Sequence, residues 1–168
     1  MFIYDENVLS ESDLIKLKRF ISTKATNSNN IKFMFSAHAV DIGDNGYHFT
    51  NEPLDRDGKR NKHYKLFKSI LVFILKKHNI KLKKIHRMAI NITFNNGFVK
   101  EIPLHTDHDF PHKQVIFYLN DSTGNTDIPF YKKSITPKEN TAIIFDDKDH
   151  KHYFPDFGVR VVCVFTFV

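Results

Sequence analysis

A chain of 168 residues, 41% hydrophobic and 26% charged, has the make-up of one globular domain with a sizeable core. Its single cysteine, Cys163, excludes an internal disulfide and a thiolate zinc cluster. The formal charge of +6 allows an anionic partner, but the lysines are spread among Ile, Phe and Asn along the whole chain, a bias that an AT-rich genome also produces.

Residues 2–4 are expected to form a short strand. Ser10-Glu-Ser-Asp13 reads as a capping box, with Asp13 a weaker substitute for Glu at the third position. Leu14, Leu17, Lys18 and Ile21 continue at helical spacing and predict a helix over about 11–23, which the Asn-rich stretch 27–30 punctuates. Residues 41–60, rich in Gly, Asn and Asp, read as loop. Residues 61–77 return to helix, with Tyr64, Phe67, Ile70, Leu71, Ile74 and Leu75 as one apolar stripe. The longest apolar run, 69–75, is far too short to span a bilayer. Asp5 and Glu6 interrupt the apolar start, so no secretory signal is expected and a reducing cytoplasm is the expected setting.

After His78 the pattern changes. Residues 88–94 alternate Met, Ile, Ile and Phe with smaller or polar residues, as a half-buried strand does. Further short strands are expected at 114–119, 127–131, 142–145 and 160–167, separated by turn signals at 95–97, 122–125 and 155–158. Cys163 lies in the apolar run 159–168, where a buried structural thiol is expected. Helices first and short strands afterwards predict an α+β fold in which a β-sandwich or barrel carries any site. The expected division is a helical part over 1–84 and a β core over 85–168, within one domain.

His105 and Asp107 are two residues apart and would share one face of a strand. An imidazole nitrogen with a hard carboxylate oxygen suits Fe(II) more than structural zinc. With ten histidines in the chain, the pair alone reads equally well as polar loop after Pro103. Downstream, a buried strand over 141–147 runs into a loop holding His150 and His152, then Pro155, Gly158 and Arg160. The arginine fork matches carboxylate geometry.

The ordered set Leu104-His-Thr-Asp107, Val115-Ile-Phe-Tyr-Leu-Asn120, Gly124-Asn-Thr126, Pro137, Ala142-Ile-Ile-Phe-Asp146, His150 and Gly158-Val-Arg160 resembles the 2-oxoglutarate- and Fe(II)-dependent dioxygenases. The likeness is to small prolyl-hydroxylase-like members common in phages and bacteria. It covers residues 85–168 well and the preceding helices only in general pattern. It implies a double-stranded β-helix (jelly-roll, cupin-like) core with N-terminal helices packed on the major sheet. It further implies Fe(II) on His105, Asp107 and His150, with His152 as the alternative third ligand. The cosubstrates would be O2 and 2-oxoglutarate, Arg160 holding the far carboxylate of the latter. Where family members often add Ser or Thr two positions after that arginine, this chain has Val162. The second carboxylate donor is therefore open between Tyr118 and Asn91, and either could be a satisfied core group. Thr126 reads as structural, and His108 and His112 as rim residues.

Asp107 argues against a halogenase, in which a small residue leaves that coordination place to chloride. The 41–60 loop, with Tyr47, His48, Phe49, Arg56 and Arg60, stands where relatives carry lids. No second arginine follows Arg160 shortly, as it does in the nucleic-acid demethylases of the superfamily. Hydroxylation of a protein or small molecule, with release of succinate and CO2, therefore ranks above base repair. The rival readings are a non-enzymatic cupin-like barrel that binds a metal or ligand, and a nucleic-acid-binding domain with an incidental His-x-Asp.

Overall fold

The computed structural model describes residues 1–21, 31–40 and 43–168. The expected punctuation at 27–30, the last two residues of the 11–23 helix and the first two of the 41–60 loop lie outside the described residues. In chain order the elements are β1 (Phe2–Glu6), α1 (Glu11–Ile21), β2 (Met34–Ser36), β3 (His48–Leu54), α2 (Tyr64–Lys77), β4 (Ile85–Phe94), β5 (Lys113–Tyr118), β6 (Thr126–Ile128), β7 (Lys133–Ile135), β8 (Thr141–Asp146), β9 (Lys151–His152) and β10 (Val159–Phe167). A large antiparallel sheet runs β1-β8-β5-β10-β4-β3-β2, and a smaller one runs β7-β6-β9. Bridges between Glu101 and Tyr153 and between His105 and His150 lay the 101–105 segment beside β9.

The two-residue period of the strands sorts side chains onto two faces of the large sheet. On one face Met88, Ile90, Val115, Phe117, Ala142, Ile144, Cys163, Phe165 and Phe167 join Leu14, Leu17 and Ile21 of α1 and Phe67, Leu71, Ile74 and Leu75 of α2. On the other face Ile116, Tyr118, Ile143, Phe145, Val162 and Val164 form a second buried cluster with Ile128 of the smaller sheet. Each fully buried large apolar side chain contributes roughly 1.5–3 kcal/mol relative to exposure, so both faces are well anchored. Only the second face also carries buried polar groups in number, among them Thr93, Gln114, Arg160 and Thr166.

Local chemistry accounts for the helix ends. The Ser10 hydroxyl accepts from the Asp13 backbone N–H at 3.2 Å, and the Asp13 carboxylate takes the hydroxyl proton at 2.8 Å instead of reaching the cap's own N–H. The expected capping box is thus half made. The second helix starts at Tyr64, not 61, because the Asn61 side chain accepts from the His63 N–H at 2.8 Å and closes a turn first. Its last turn is tied to β1 by the buried Asp5, which meets Lys77 Nζ at 2.6 Å and His78 Nε2 at 2.9 Å.

Three expectations are corrected. Residues 41–60 are not loop throughout, since β3 pairs with both β2 and β4; Asn51, Glu52 and Pro53 hide it, and the register shifts between Asn51 and Leu54. The N-terminal part is therefore not purely helical: β1, β2 and β3 all belong to the large sheet. The strand expected at 127–131 ends at Ile128, because Pro129 opens a 3₁₀ turn that Lys132 closes in the left-handed region. No helix among the described residues is long and apolar enough to cross a membrane.

Cys163 is fully buried on the helix-facing side of β10, and burial pushes its thiol pKa up. Ellman's reagent should therefore find no reactive thiol in the native protein and one equivalent in denaturant.

Candidate metal centre

The 101–105 segment and β9 meet through reciprocal backbone bonds, His105 N–H to His150 O at 3.0 Å and His150 N–H to His105 O at 2.9 Å. Directly opposed antiparallel residues project to the same face, and the two imidazole centroids lie 4.5 Å apart. Asp107, two residues beyond His105, joins them in a cavity of about 60 Å³ whose wall also includes His48, Arg87, Asn91, Thr93, Thr126, His152 and Arg160. A surface hollow of about 580 Å³ along residues 95–100 and 153–156 is far larger but contains no imidazole. The small cavity is the one with the chemistry.

The donor set suits a divalent cation in three respects. The Nδ1 atoms of His105 and His150 face the backbone carbonyls of Pro103 at 2.9 Å and Lys148 at 3.3 Å. A carbonyl can only accept, so each ring carries its proton on Nδ1 and keeps its lone pair on Nε2, as a ligand should. Burial pushes the His150 pKa down to about 4 against the pull of Asp107, which keeps the ring neutral. Burial alone would raise Asp107, but its positive surroundings, the Arg87 and Arg56 guanidiniums among them, outweigh it and hold the carboxyl below its usual range. Asp107 Oδ2 is buried with no hydrogen-bond partner. An ionised oxygen in that condition calls for a cation. Among the described residues no three His, Cys, Asp or Glu side chains already stand closed together as a ligand set.

Arg160 enters the cavity from the start of β10, opposite Thr93 of β4. It is 2% exposed, and its Nη2 donates to Thr126 Oγ1 at 2.9 Å while its Nε has no partner. Tyr118 stands behind Thr126, donating its hydroxyl to the same oxygen at 2.9 Å, with its ring 5.7 Å from the guanidinium. Asn91 lines the cavity and accepts the Thr50 hydroxyl on Oδ1 at 2.8 Å, which leaves its amide hydrogens available. His152 shares the wall, its ring tilted against Phe154 with centroids 5.7 Å apart, and burial and the Arg160 cation push its pKa down. His108 and His112 lie away from the cavity in a ring cluster with Phe110 and His86, and His108 Nε2 meets Thr166 Oγ1 at 2.8 Å.

Two arginines beside Asp107 are not legible as site residues in the sequence. Arg87 Nη1 lies 3.7 Å from Asp107 Oδ1 and its Nε donates to Glu52 at 2.8 Å. Arg56 Nη2 lies 3.5 Å from the same oxygen, and its Nη1 donates to the Asp107 carbonyl. Arg87 shares strand parity with Asn91, a signal that the β4 alternation does carry. Arg56 falls within the expected lid loop, yet what it touches is Asp107. His48, from the same expected loop, is a buried strand residue in the cavity wall, while Phe49 faces away from the site.

No protein-family model and no curated protein sequence matches the chain. Solved structures do. An oxidoreductase of the 2OG-Fe(II) oxygenase family from Burkholderia pseudomallei superposes with a TM-score of 0.72 at 14% identity, over 99% of this chain and 84% of that one. A viral collagen prolyl hydroxylase from Paramecium bursaria Chlorella virus-1, solved as a 2OG complex, gives 0.62 at 14% identity over 98% and 93%. A Pseudomonas putida prolyl-4-hydroxylase gives 0.66 at 10% identity over 99% and 91%. The chain has the fold of these proteins.

Gly124 is where backbone packing defines the Arg160 end of the site. A Cβ there would stand 2.5 Å from the Tyr153 carbonyl oxygen and 3.1 Å from Arg160 Cδ. Gly124→Ala should therefore cost roughly 1–3 kcal/mol, as overpacking does, measured as a lower urea midpoint at unchanged m-value.

Proposed function

We propose that the chain is a 2-oxoglutarate- and Fe(II)-dependent dioxygenase that hydroxylates a protein side chain or a small molecule. The observation that carries the reading is the unpartnered, buried Asp107 Oδ2 beside two imidazoles whose Nδ1 protons are tied to backbone carbonyls. His105, Asp107 and His150 would hold the metal. His150 is preferred to His152 as third ligand because it is His150 that bridges to His105. The fold likeness supports the reading independently, since the superposed proteins include 2OG-Fe(II) oxygenases and prolyl hydroxylases. In the finer architecture we propose, β4, β10, β5 and β8 face the 101–105 segment, β9, β6 and β7 as the two halves of a jelly roll, residues 1–168 forming one domain.

When bound, Fe(II) and 2-oxoglutarate supply oxidative decarboxylation to succinate and CO2 coupled to C–H hydroxylation, chemistry that belongs to the metal and cosubstrate. The protein's own residues prepare for it. The Pro103 and Lys148 carbonyls fix the imidazole tautomers, and Arg87 with Arg56 keeps Asp107 ionised. Arg160, buried and with Nε unpartnered, would pair with a carboxylate of the diacid. Thr126 and Asn91 present polar groups to the same cavity, Tyr118 buttresses Thr126, and Ile102, Ile116, Val162 and Val164 wall off water. Peptidyl proline is the first prime substrate to try, from the activities of the superposed hydroxylases. A reducing cytoplasm fits the single unpaired thiol.

Purified protein with Fe(II), ascorbate and 2-oxoglutarate should release succinate, with a burst when the prime substrate is added. Asp107→Ala and His150→Ala should lose turnover together with metal binding. Arg160→Ala should keep the metal but raise KM for 2-oxoglutarate on the order of 10- to 100-fold, the loss expected for one charged hydrogen-bonded pair. A nonenzymatic cupin-like barrel or a nucleic-acid-binding domain would give no succinate under any metal condition, in the presence of candidate substrates.

A further inference from the structure

We propose that His152 is a cosubstrate-positioning residue: with Arg160 and Thr126 it forms the pocket for a carboxylate of the bound diacid, and it is not a metal ligand. This rests on the dioxygenase reading above.

Two nitrogens buried in the cavity wall lack any protein partner, Arg160 Nε and His152 Nε2. The first always bears a hydrogen and can only donate. His152 as a whole is partly exposed, yet its Nε2 is fully shielded. In the β6–β9 ladder His152 is the direct partner of Thr126, so the two side chains rise from one face at close spacing. Thr126 Oγ1 already accepts from Arg160 Nη2 and from the Tyr118 hydroxyl, each at 2.9 Å. Its own hydrogen is therefore free to donate. Arg160 Nε and the Thr126 hydroxyl thus have no protein acceptor at this end of the cavity, and His152 Nε2 stands unpartnered in the same wall. Buried donors are normally satisfied, and the ligand that satisfies several at once is rich in acceptors and poor in donors. A carboxylate is such a group.

Neighbouring positions leave the task to His152. The next inward residue of β10 after Arg160 is Val162, which has no polar atom, and it sits between Asn91 and Tyr118 in the ladder. The Tyr118 hydroxyl is spent on Thr126. His152 Nε2, unpartnered in the same wall, stands where it can supply the donor that position 162 cannot. Its separation from the metal role is also legible: His150, not His152, pairs with His105, their ring centroids 4.5 Å apart.

The test uses full-length protein loaded with Mn(II), with 2-oxoglutarate binding read by calorimetry and Mn(II) binding by electron paramagnetic resonance. His152→Val should weaken 2-oxoglutarate about tenfold or more and leave Mn(II) affinity unchanged, and His152→Gln, which keeps a donor, should recover most of the loss. Should His152→Val not fold, His152→Leu against His152→Gln gives the same comparison. The proposal is overturned if the apolar variants lose Mn(II) as His150→Ala does, which makes His152 a ligand. It is equally overturned if they bind 2-oxoglutarate as tightly as the unmodified chain. If the unmodified, Mn(II)-loaded protein binds no 2-oxoglutarate, the dioxygenase reading itself falls.

Discussion

Two backbone hydrogen bonds between His105 and His150 hold the site together. Neither residue lies in a long strand: the 101–105 segment is held along β9 by isolated bridges, by the Ile102 N–H to His152 O bond at 3.0 Å and by the Lys151–Glu101 ion pair at 2.7 Å. Yet those few bonds bring residues 45 positions apart in sequence onto one face, and everything chemical follows from that alignment. Asp107, two residues beyond His105, lands in the same cavity as both imidazoles, and His152 shares its wall with Arg160. The large sheet makes this possible by presenting β4 and β10 as a rigid floor across which the short ladder can span.

That floor has a division of labour written in its period. Odd positions of β10 from Val161 onward pack on the helices as apolar core, while Arg160, Val162, Val164 and Thr166 face the smaller sheet. The helix side supplies stability and accepts no ambiguity. The cavity side tolerates unsatisfied groups, including Asp107 Oδ2, Arg160 Nε and His152 Nε2. Orphaned polar atoms are destabilising in isolation, and three of them gathered around one cavity are the signature of a preorganised binding surface.

Much of this was readable from residues alone. The longer strands and α2 announced themselves by period, because each buries a face long enough to repeat. Three-residue strands such as β2 and β7 bury too little to leave a pattern, and β3 was masked by a polar, proline-containing stretch that register, not composition, turns into sheet. In the site, His105, Asp107, His150 and Arg160 could be named from order and spacing. Arg87, Glu52 and Arg56 could not, because their closeness to Asp107 comes from cross-strand register and from a loop folding back. Thr126 changes its meaning for the same reason: it read as a turn residue, but pairing with β9 puts it in the cavity wall between Arg160 and Tyr118.

The placement of sulfur adds a last consequence. Cys163 and Met88 both sit on the helix-facing side of the large sheet, with a full layer of backbone between them and the cavity. Thiolates and thioethers are the side chains that oxidants attack first. A centre that activates oxygen on the opposite face would find imidazole, carboxylate and aliphatic walls around it, so stray oxidant escaping a failed turnover would damage the site's own histidines before any core sulfur. Inactivation would then be local, and the folded scaffold would outlast the activity it carries.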